Sequence, residues 1–393
     1  MNQDWADYLT AATRESERAR GRDPRLFPHY SDNGSWQLLG VDALSNWQGD
    51  QYEHGNWTAG FWFGTMWLAA LGRGHDDDVI SLAHSRLALL SERAYDHTTH
   101  DLGFLFHPSL VLGHQLGYLD GEQLRPAVEA ARMTARRFND PGRYIQAFGP
   151  VGELRSAATS TIDTMMNLPL LWWAYRHTDD TRLFDVARHH ARTTARLFVR
   201  PDGSTVHLMH FDPVTGAVDS ESTLQGASAR SSWSRGAGWV VAGLAWSYAV
   251  CGESEMLTVA ERASAYYETM TPADELPPWD FSETSDDTPP DASAAAAMAL
   301  GHLILGAVHP DGRARARFEE SGHRTLATLS RLALNRDSDV DGILLHSCYS
   351  VPHSRGVDQA TAWGDFYYGL AMAVGHGILP VGLLLGLDGR TSR

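Results

Sequence analysis

The stretches ASAAAAMALGHLIL at residues 292–305 and GFWFGTMWLAAL at residues 60–71 decide the fold of this chain. Each is long enough for several helical turns and contains no Asp, Glu, Lys or Arg, so neither offers water a polar face. A helix that is apolar all round is a buried helix. Two further stretches are nearly as apolar: TMMNLPLLWWAY at 164–175, and RGAGWVVAGLAW at 235–246, whose one charged residue is Arg235 at its start. The sequence therefore predicts a protein built around several buried helices.

Amphipathic stretches alternate with the buried ones. Residues 121–138 and 180–199 carry Arg and Asp or Glu on one face, as a helix at the protein surface does. The whole pattern predicts six helices of each kind, with the N-terminal helix paired with the last one. This alternation describes an all-α fold, a closed double ring of helical hairpins or (α/α)6 barrel, in a single domain over residues 1–393 with an irregular tail at 380–393. The predicted helices lie at 4–20, 57–72, 76–94, 104–118, 121–138, 161–178, 180–199, 234–251, 254–270, 291–308, 311–335 and 362–377.

Composition excludes several classes of function. The 393 residues include 32 basic and 48 acidic ones, a formal net charge of −16, and every basic residue is arginine. The absence of lysine excludes Schiff-base chemistry and a P-loop. The acidic charge argues against binding to nucleic acid or to anionic membranes. The chain shows no signal-peptide pattern, no apolar stretch of the roughly 20 residues that cross a bilayer, and only two cysteines, which together predict a cytoplasmic protein.

Clusters of polar and aromatic residues stand just before or at the start of the buried helices. In a closed ring all six inner helices run in the same direction. These clusters therefore meet at one end of the ring, its mouth, where the positive ends of the six helix dipoles also lie. A funnel of aromatic rings with a few carboxylates indicates a carbohydrate site. The clusters are Asn56–Thr58, His100–Gly103, Thr161–Asp163, Ser232–Gly236, Trp279–Phe281 with Asp291, and Trp363–Asp365.

Seven segments between residues 25 and 375 resemble, in order, the unsaturated glucuronyl hydrolases, glycoside hydrolase family 88. They are NWTAGFWFGTMWLA, HDLGFLFHPS, IQAFGPVG, STIDTMMNLPLLWWA, SSWSRGAGW, PWDF with PDASAAAA, and ATAWGDFYYGLA. The resemblance implies an (α/α)6 barrel that removes the 4,5-unsaturated uronic acid left by polysaccharide lyases at the non-reducing end of oligosaccharides. It also implies chemistry without a cofactor, in which a proton is delivered to C4 of the C4=C5 vinyl ether and water adds at C5.

Two aspartates match the carboxyl groups of that family. The resemblance implies that Asp163 is the general acid and base, and that Asp101 raises the pKa of Asp163 and orients substrate or water. Burial and a neighbouring carboxylate are the means by which a carboxyl group stays protonated near neutral pH. Both residues have an alternative role as helix N-caps, although Ser160 and Thr161 already supply caps upstream of Asp163.

Seven further residues match substrate-binding positions. Arg235 and Trp239 share one helix face. The resemblance implies that Arg235 meets the anionic substrate and that Trp239 lines the sugar, with core packing as the alternative for the tryptophan. Trp57 is expected to stack on the sugar at the mouth, with ring packing between helices as its alternative, and His207 to contact the sugar. The remaining three are Phe148, Gln225 and Trp233.

Three positions depart from the family pattern and leave the substrate preference open. Phe148 stands in place of a tryptophan, Leu224 in place of a histidine, and the segment 237–238 lacks an amide side chain. The loop 346–359 carries serines and Arg355 suited to a sulfate. The lysine of the sulfate-preferring members is missing from it, so we do not predict sulfate binding.

Other functions stay open at this point. One is an unsaturated rhamnogalacturonyl hydrolase that acts on pectin fragments, and another is a sugar-binding barrel without catalysis. The 19 histidines raise the question of a metal, but no HxH or HExxH spacing joins them to carboxylates, so the sequence predicts no metal site. The expected partner is a small unsaturated uronic-acid oligosaccharide, bound by a monomer or a homodimer.

Overall fold

All twelve predicted helices are present in the computed structural model, which describes residues 3–48, 51–153 and 155–387. The six buried segments form an inner layer and the six amphipathic ones an outer layer. The inner helices are α2 (Ala59–Gly72), α4 (Leu102–Phe106) continued by α5 (Leu112–Gln115), α7 (Leu168–Thr178), α9 (Ser234–Cys251), α11 (Ala292–Val308) and α13 (Ala362–Gly375). The outer helices are α1 (Gln3–Arg20), α3 (Asp77–Ser91), α6 (Arg125–Arg136), α8 (Thr181–Leu197), α10 (Ser254–Met270) and α12 (Gly312–Leu332).

The inner helices close into a ring, as predicted. Each contacts its neighbours in the order α2, α4, α7, α9, α11 and α13, and α13 returns to α2. Small residues allow this close approach: a Cβ atom added at Gly60 would lie 2.1 Å from the carbonyl oxygen of Phe104, and one at Gly103 would lie 2.3 Å from the Cα atom of Asn167. The glycines therefore set the spacing of α2 against α4 and of α4 against α7.

Two inner helices are less regular than predicted. A wider π-helical turn at His107–Val111 separates α4 from α5, and it contains Pro108, which cannot donate a backbone hydrogen bond. The segment predicted as one helix at 161–178 begins with a 3-10 turn at Ile162–Met166, and α7 starts only at Leu168. Asp163 thus lies in a tight turn at the mouth of the ring.

In the described part of the chain, nine short strands lie in the connections, where the sequence showed little strand alternation. Three antiparallel pairs are β1 (Leu26–Asp32) with β2 (Ser35–Gly40), β3 (Asn46–Gln48) with β4 (Gln51–Glu53), and β5 (Phe138–Asn139) with β6 (Tyr144–Ile145). A three-stranded sheet joins β7 (Thr159–Thr161), β8 (Leu208–Phe211) and β9 (Val218–Ser222). In this sheet Thr161 pairs with Leu208, which fixes the approach to the turn that carries Asp163.

The C-terminal segment corrects the prediction of an irregular tail at 380–393. A short helix, α14, forms at Val381–Leu384, and the guanidinium of Arg176 donates a hydrogen bond to the carbonyl of Gly386 at 3.0 Å. Residues 388–393 lie outside the described part of the chain. Within the described part, no helix combines the length and the apolar character needed to cross a bilayer.

We expect G60A to lower the free energy of unfolding by about 1–3 kcal/mol, because the added methyl group would overlap backbone carbonyls of α4 and push two inner helices apart. Chemical denaturation measures this change. G121A is the matched control, since an added Cβ atom at Gly121 has no neighbour within 4 Å. Equal stability of G60A and the wild type would show that the ring does not depend on this approach.

Candidate active site

Two aspartates from neighbouring inner helices meet at the mouth of the ring. Asp101 is the residue before α4, and Asp163 lies in the 3-10 turn before α7. Both approach the same imidazole: Nε2 of His100 lies 3.2 Å from Oδ1 of Asp101 and 3.7 Å from Oδ2 of Asp163. The fold thus brings together the two aspartates singled out from the sequence, with a histidine between them.

Burial controls the protonation of this pair. Only 18% of the Asp163 side chain and 5% of that of Asp101 are exposed. Burial raises the pKa of both carboxyl groups, and the charge of Asp101 raises the pKa of Asp163 further. Burial also lowers the pKa of His100 to about 4, so its ring is neutral near pH 7. The pair can therefore hold a proton at a pH at which an exposed aspartate is ionised.

A cleft of about 300 Å³ opens beside the pair. His54 connects the two, because its ring lines the cleft and lies close enough to Asp101 to lower the pKa of that carboxyl group when the ring is protonated. Phe148 also lines the cleft, and its ring centroid lies 6.3 Å from that of His100. Aromatic rings offer apolar faces on which a sugar ring can stack. The other lining residues include Trp47, Tyr52, Arg155, Leu208, His210, Leu224, Gln225, Tyr349, Ser350, His353 and Arg355.

Three of the predicted binding residues lie at this cleft or directly behind it. Phe148 and Gln225 line it, and Nε2 of Gln225 donates a hydrogen bond to the carbonyl of Tyr349 at 3.0 Å. His207 is buried behind Gln225, where its Nδ1 atom lies 2.9 Å from the Thr223 hydroxyl. Burial lowers the pKa of His207 to about 3, which leaves a neutral ring that braces the turn carrying Gln225. Their contacts with a ligand stay predictions.

Arg235 is buried and is not among the residues that line the cleft, and its contact with the substrate stays a prediction. Its side chain and that of Asp291 are both 0% exposed, and Nη1 lies 2.9 Å from Oδ2 of Asp291. The guanidinium also donates to the carbonyls of Cys348 and Tyr349. An arginine at the start of a helix needs an anionic partner, and Asp291 at the start of α11 provides it. We therefore assign to Arg235 the role of tying α9 to α11.

The predicted tryptophans are buried around this arginine. Trp239 is 2% exposed and packs against the ring of Phe104 with 5.4 Å between centroids, so it belongs to the core, the alternative considered from the sequence. Trp233 lies between Arg235 and His207. Trp57 stacks on Trp363 with 4.8 Å between ring centroids. All three predicted tryptophans are buried, and their contacts with a ligand stay predictions.

Three residues near the pair were given no role from the sequence. His100 stands inside the quoted HDLGF segment, and its position directly before Asp101 was a usable signal. His54 and Tyr349 come from connecting segments, and only the closure of the ring places them near Asp101. No local pattern marks the two of them.

The trio at the mouth brings a histidine beside two carboxylates without an HxH or HExxH spacing in the sequence. His100, Asp101 and Asp163 each place one ligand atom within 4.8 Å of the others, a set that suits a divalent cation. The Nδ1 atom of His100 lies 2.8 Å from the hydroxyl of Thr164. When that hydroxyl donates to Nδ1, Nε2 carries a hydrogen and is closed to a metal. We assign no metal to the trio, and chemistry without a metal stays a prediction.

We expect R235M to lower the free energy of unfolding by about 3–5 kcal/mol, because it leaves Asp291 charged and unpaired in the interior. R196M is the control: Arg196 pairs with Glu255 at the surface, and its loss should cost about 0–1 kcal/mol. Thermal and chemical denaturation of both variants give the comparison. An R235M protein as stable as R196M would contradict the structural role of Arg235.

Comparisons with known proteins find relatives along most of the chain. An unsaturated chondroitin disaccharide hydrolase from Streptococcus pyogenes serotype M1 is 32% identical over 79% of this chain and 79% of its own length. The unsaturated glucuronyl hydrolase of Bacillus sp. (strain GL1) is 31% identical over 87% of this chain and 89% of its own. A crystal structure of an enzyme of that name from Bacillus sp. GL1 covers 94% of this chain and 95% of its own, with a TM-score of 0.84 and 29% identity.

A structure with a bound ligand is also similar. It is an unsaturated glucuronyl hydrolase variant from Streptococcus agalactiae complexed with dGlcA-GalNAc6S, with a TM-score of 0.76, 25% identity, and coverage of 98% of this chain and 91% of its own. No model of a protein family matches the chain. The similarity to these relatives extends over nearly the whole ring and is not confined to one motif.

Proposed function

This chain belongs to the unsaturated glucuronyl hydrolase family, and on that basis we propose that it releases 4,5-unsaturated glucuronic acid from the non-reducing end of short lyase-made oligosaccharides. The names of its relatives point to disaccharides of the glycosaminoglycan type. Among the alternatives considered from the sequence, the pectin-directed hydrolase has no support from these relatives. A barrel that only binds sugar would not need a proton held on a carboxyl group.

The observation that carries the proposal is the buried pair of Asp101 and Asp163 beside the cleft. In most glycosidases two carboxyl groups about 5–5.5 Å or about 6.5–9.5 Å apart flank the bond to be cleaved. Here both carboxyl groups approach one histidine, with ligand atoms within 4.8 Å. Two buried carboxyl groups beside one imidazole can hold one proton and one negative charge, which supports protonation of a double bond by one of them.

Protonation of the double bond is the first step. Asp163 donates its carboxyl proton to C4 of the substrate, and the electron pair of the C4=C5 bond forms the new C4–H bond. Positive charge develops at C5 and at the ring oxygen. A negative charge held in a site of low dielectric stabilises such a transition state strongly. We assign this role to the carboxylate of Asp101.

Hydration and cleavage follow. Water forms a bond to C5 through its oxygen and gives one proton to Asp163, which restores the acid for the next turnover. The hemiketal at C5 then opens to a ketone, and its ring oxygen remains on C1. C1 expels the second sugar as an alcohol and becomes an aldehyde. One water molecule is consumed, and no redox partner is needed.

The charge of the protein bears on the size of the substrate. With a net charge of −16, the chain repels a long polyanion. The cleft itself is lined by the cationic side chains of Arg155 and Arg355 and by one carboxylate, that of Glu53. A short fragment that enters this cleft meets local positive charge, which supports a disaccharide or a similarly small substrate.

Three further assignments belong to the proposal. The seven quoted segments support a place in glycoside hydrolase family 88. Cys251 and Cys348 are free thiols, as is usual in a reducing compartment, and this supports a cytoplasmic location. Phe148, Gln225 and His207 are the predicted residues whose positions best support contact with the substrate.

We expect D163N to lose at least about 100-fold in turnover, because an amide of the same shape has no proton to give to C4. Loss of the ultraviolet absorbance of the C4=C5 bond measures turnover on unsaturated disaccharides from chondroitin, hyaluronan and heparin lyases.

D179N is the control for this substitution. Asp179 is exposed at the end of α7 with a φ of 56°, a conformation that asparagine also adopts. The D179N variant should keep wild-type turnover. Activity of D163N equal to that of D179N would remove Asp163 from the mechanism.

A further inference from the structure

The two aspartates differ in the hydrogen bonds that they accept. The Thr99 hydroxyl donates to Oδ2 of Asp101 at 2.8 Å, and Nε2 of His100 lies 3.2 Å from Oδ1. The contact of the same nitrogen with Asp163 is longer, at 3.7 Å, and the buried Oδ1 atom of Asp163 has no hydrogen-bond partner in the described structure. Hydrogen bonds to a carboxylate stabilise its charged form. The negative charge is therefore favoured on Asp101 and the proton on Asp163.

The orientation of His100 depends on Thr164. Nδ1 of the imidazole lies 2.8 Å from the Thr164 hydroxyl, which itself lies 3.5 Å from the hydroxyl of Thr161. A neutral imidazole carries one hydrogen, and the hydrogen bond at one nitrogen determines which nitrogen has it. When Thr164 donates to Nδ1, the hydrogen of the ring is on Nε2 and points to the carboxyl pair.

We propose that His100 is a positioning residue that holds the shared proton on Asp163, because its Nε2–H group stabilises the anion of Asp101. The inference rests on the proposed function. His100 and Thr164 are both buried and act through Asp101 without touching the substrate. The two carboxyl groups therefore have different protonation states in one site: Asp163 is the protonated acid and Asp101 is the anion.

Of the other titratable groups around the pair, Arg137 also favours the anion of Asp101, whereas the histidines and tyrosines named next are neutral near pH 7. Burial lowers the pKa of His54 to about 4 and that of His190 to about 3, and it raises the pKa of Tyr52 and of Tyr349 to about 12, so these four are neutral near pH 7. Arg137 is charged, but its guanidinium donates to backbone carbonyls, those of His97, Gln146, Ala147 and Gly149. The Asn167 amide lowers the pKa of Asp101, although its Nδ2 atom makes no hydrogen bond in the described structure.

The sign of the expected pH effect follows from this assignment. Without the Nε2–H group the anion of Asp101 is less stable, so the pKa of Asp101 rises. The pair then becomes doubly protonated at a higher pH, and the anion that stabilises the charge at C5 is lost earlier as the pH falls. On the alkaline side, activity falls when Asp163 loses its proton. Asp101 is an anion before and after this loss, so removal of the Nε2–H group changes the pKa of Asp163 less than that of Asp101.

The test compares H100M, H100Q and H107M in the pH dependence of kcat/KM. Methionine removes the Nε2–H donor. We therefore expect the pH at which kcat/KM falls on the acid side to be higher by about one unit in H100M than in the wild type. Glutamine can place an amide N–H near the position of Nε2, so H100Q should recover part of the shift. His107 is a buried neutral histidine whose pKa is lowered to about 3 by burial alone, so H107M should leave the limb in place.

A second measurement uses the wild-type protein and is independent of activity. Nitrogen-15 NMR of labelled histidine side chains, assigned with H100Q, should show His100 neutral with its hydrogen on Nε2 from pH 5 to 8. A charged His100, or one with its hydrogen on Nδ1, would overturn the inference. So would an H100M acid limb that coincides with that of H107M. If the wild type turned over no unsaturated disaccharide, the proposed function would fail while the NMR result still decided the state of His100.

Discussion

Two carboxyl groups are kept out of water side by side, and the chemistry of this protein depends on that constraint. A lone buried aspartate would simply become neutral, whereas a pair with one histidine between them can hold one charge and one proton. Burial requires the ring of inner helices to close tightly. Gly60 and Gly103 allow the backbones of α2, α4 and α7 to approach, and these are the helices on either side of the pair. Fold and reactivity therefore share the same packing contacts.

The sequence was sufficient to predict the architecture. Twelve helices, their alternation and the closure of the ring follow from apolar and amphipathic periodicity, because burial on all sides leaves no other pattern available to the inner helices. The short strands were not predictable in this way, since β5 and β6 have two residues each and are held by tertiary contacts. The π turn at His107–Val111 likewise reflects how α4 packs in the ring.

The site was predicted in part. The polar clusters were predicted to lie at the N-termini of the inner helices, and Asp101 and Asp163 do meet there, at the mouth of the ring. The sequence placed Arg235 beside an anion but did not identify Asp291, which lies at the start of another inner helix and pairs with it. The role of His100 was not predicted, because it depends on the directions of hydrogen bonds, which a linear sequence does not display.

The central claim is that the double bond of the substrate reacts before the glycosidic bond. Absorbance of the C4=C5 bond and release of the second sugar, recorded in one single-turnover reaction, test it directly. We predict that absorbance falls no later than the sugar appears, because protonation at C4 precedes cleavage at C1. Release of the sugar while the absorbance persists would contradict the account, since it would mean direct attack at the anomeric carbon.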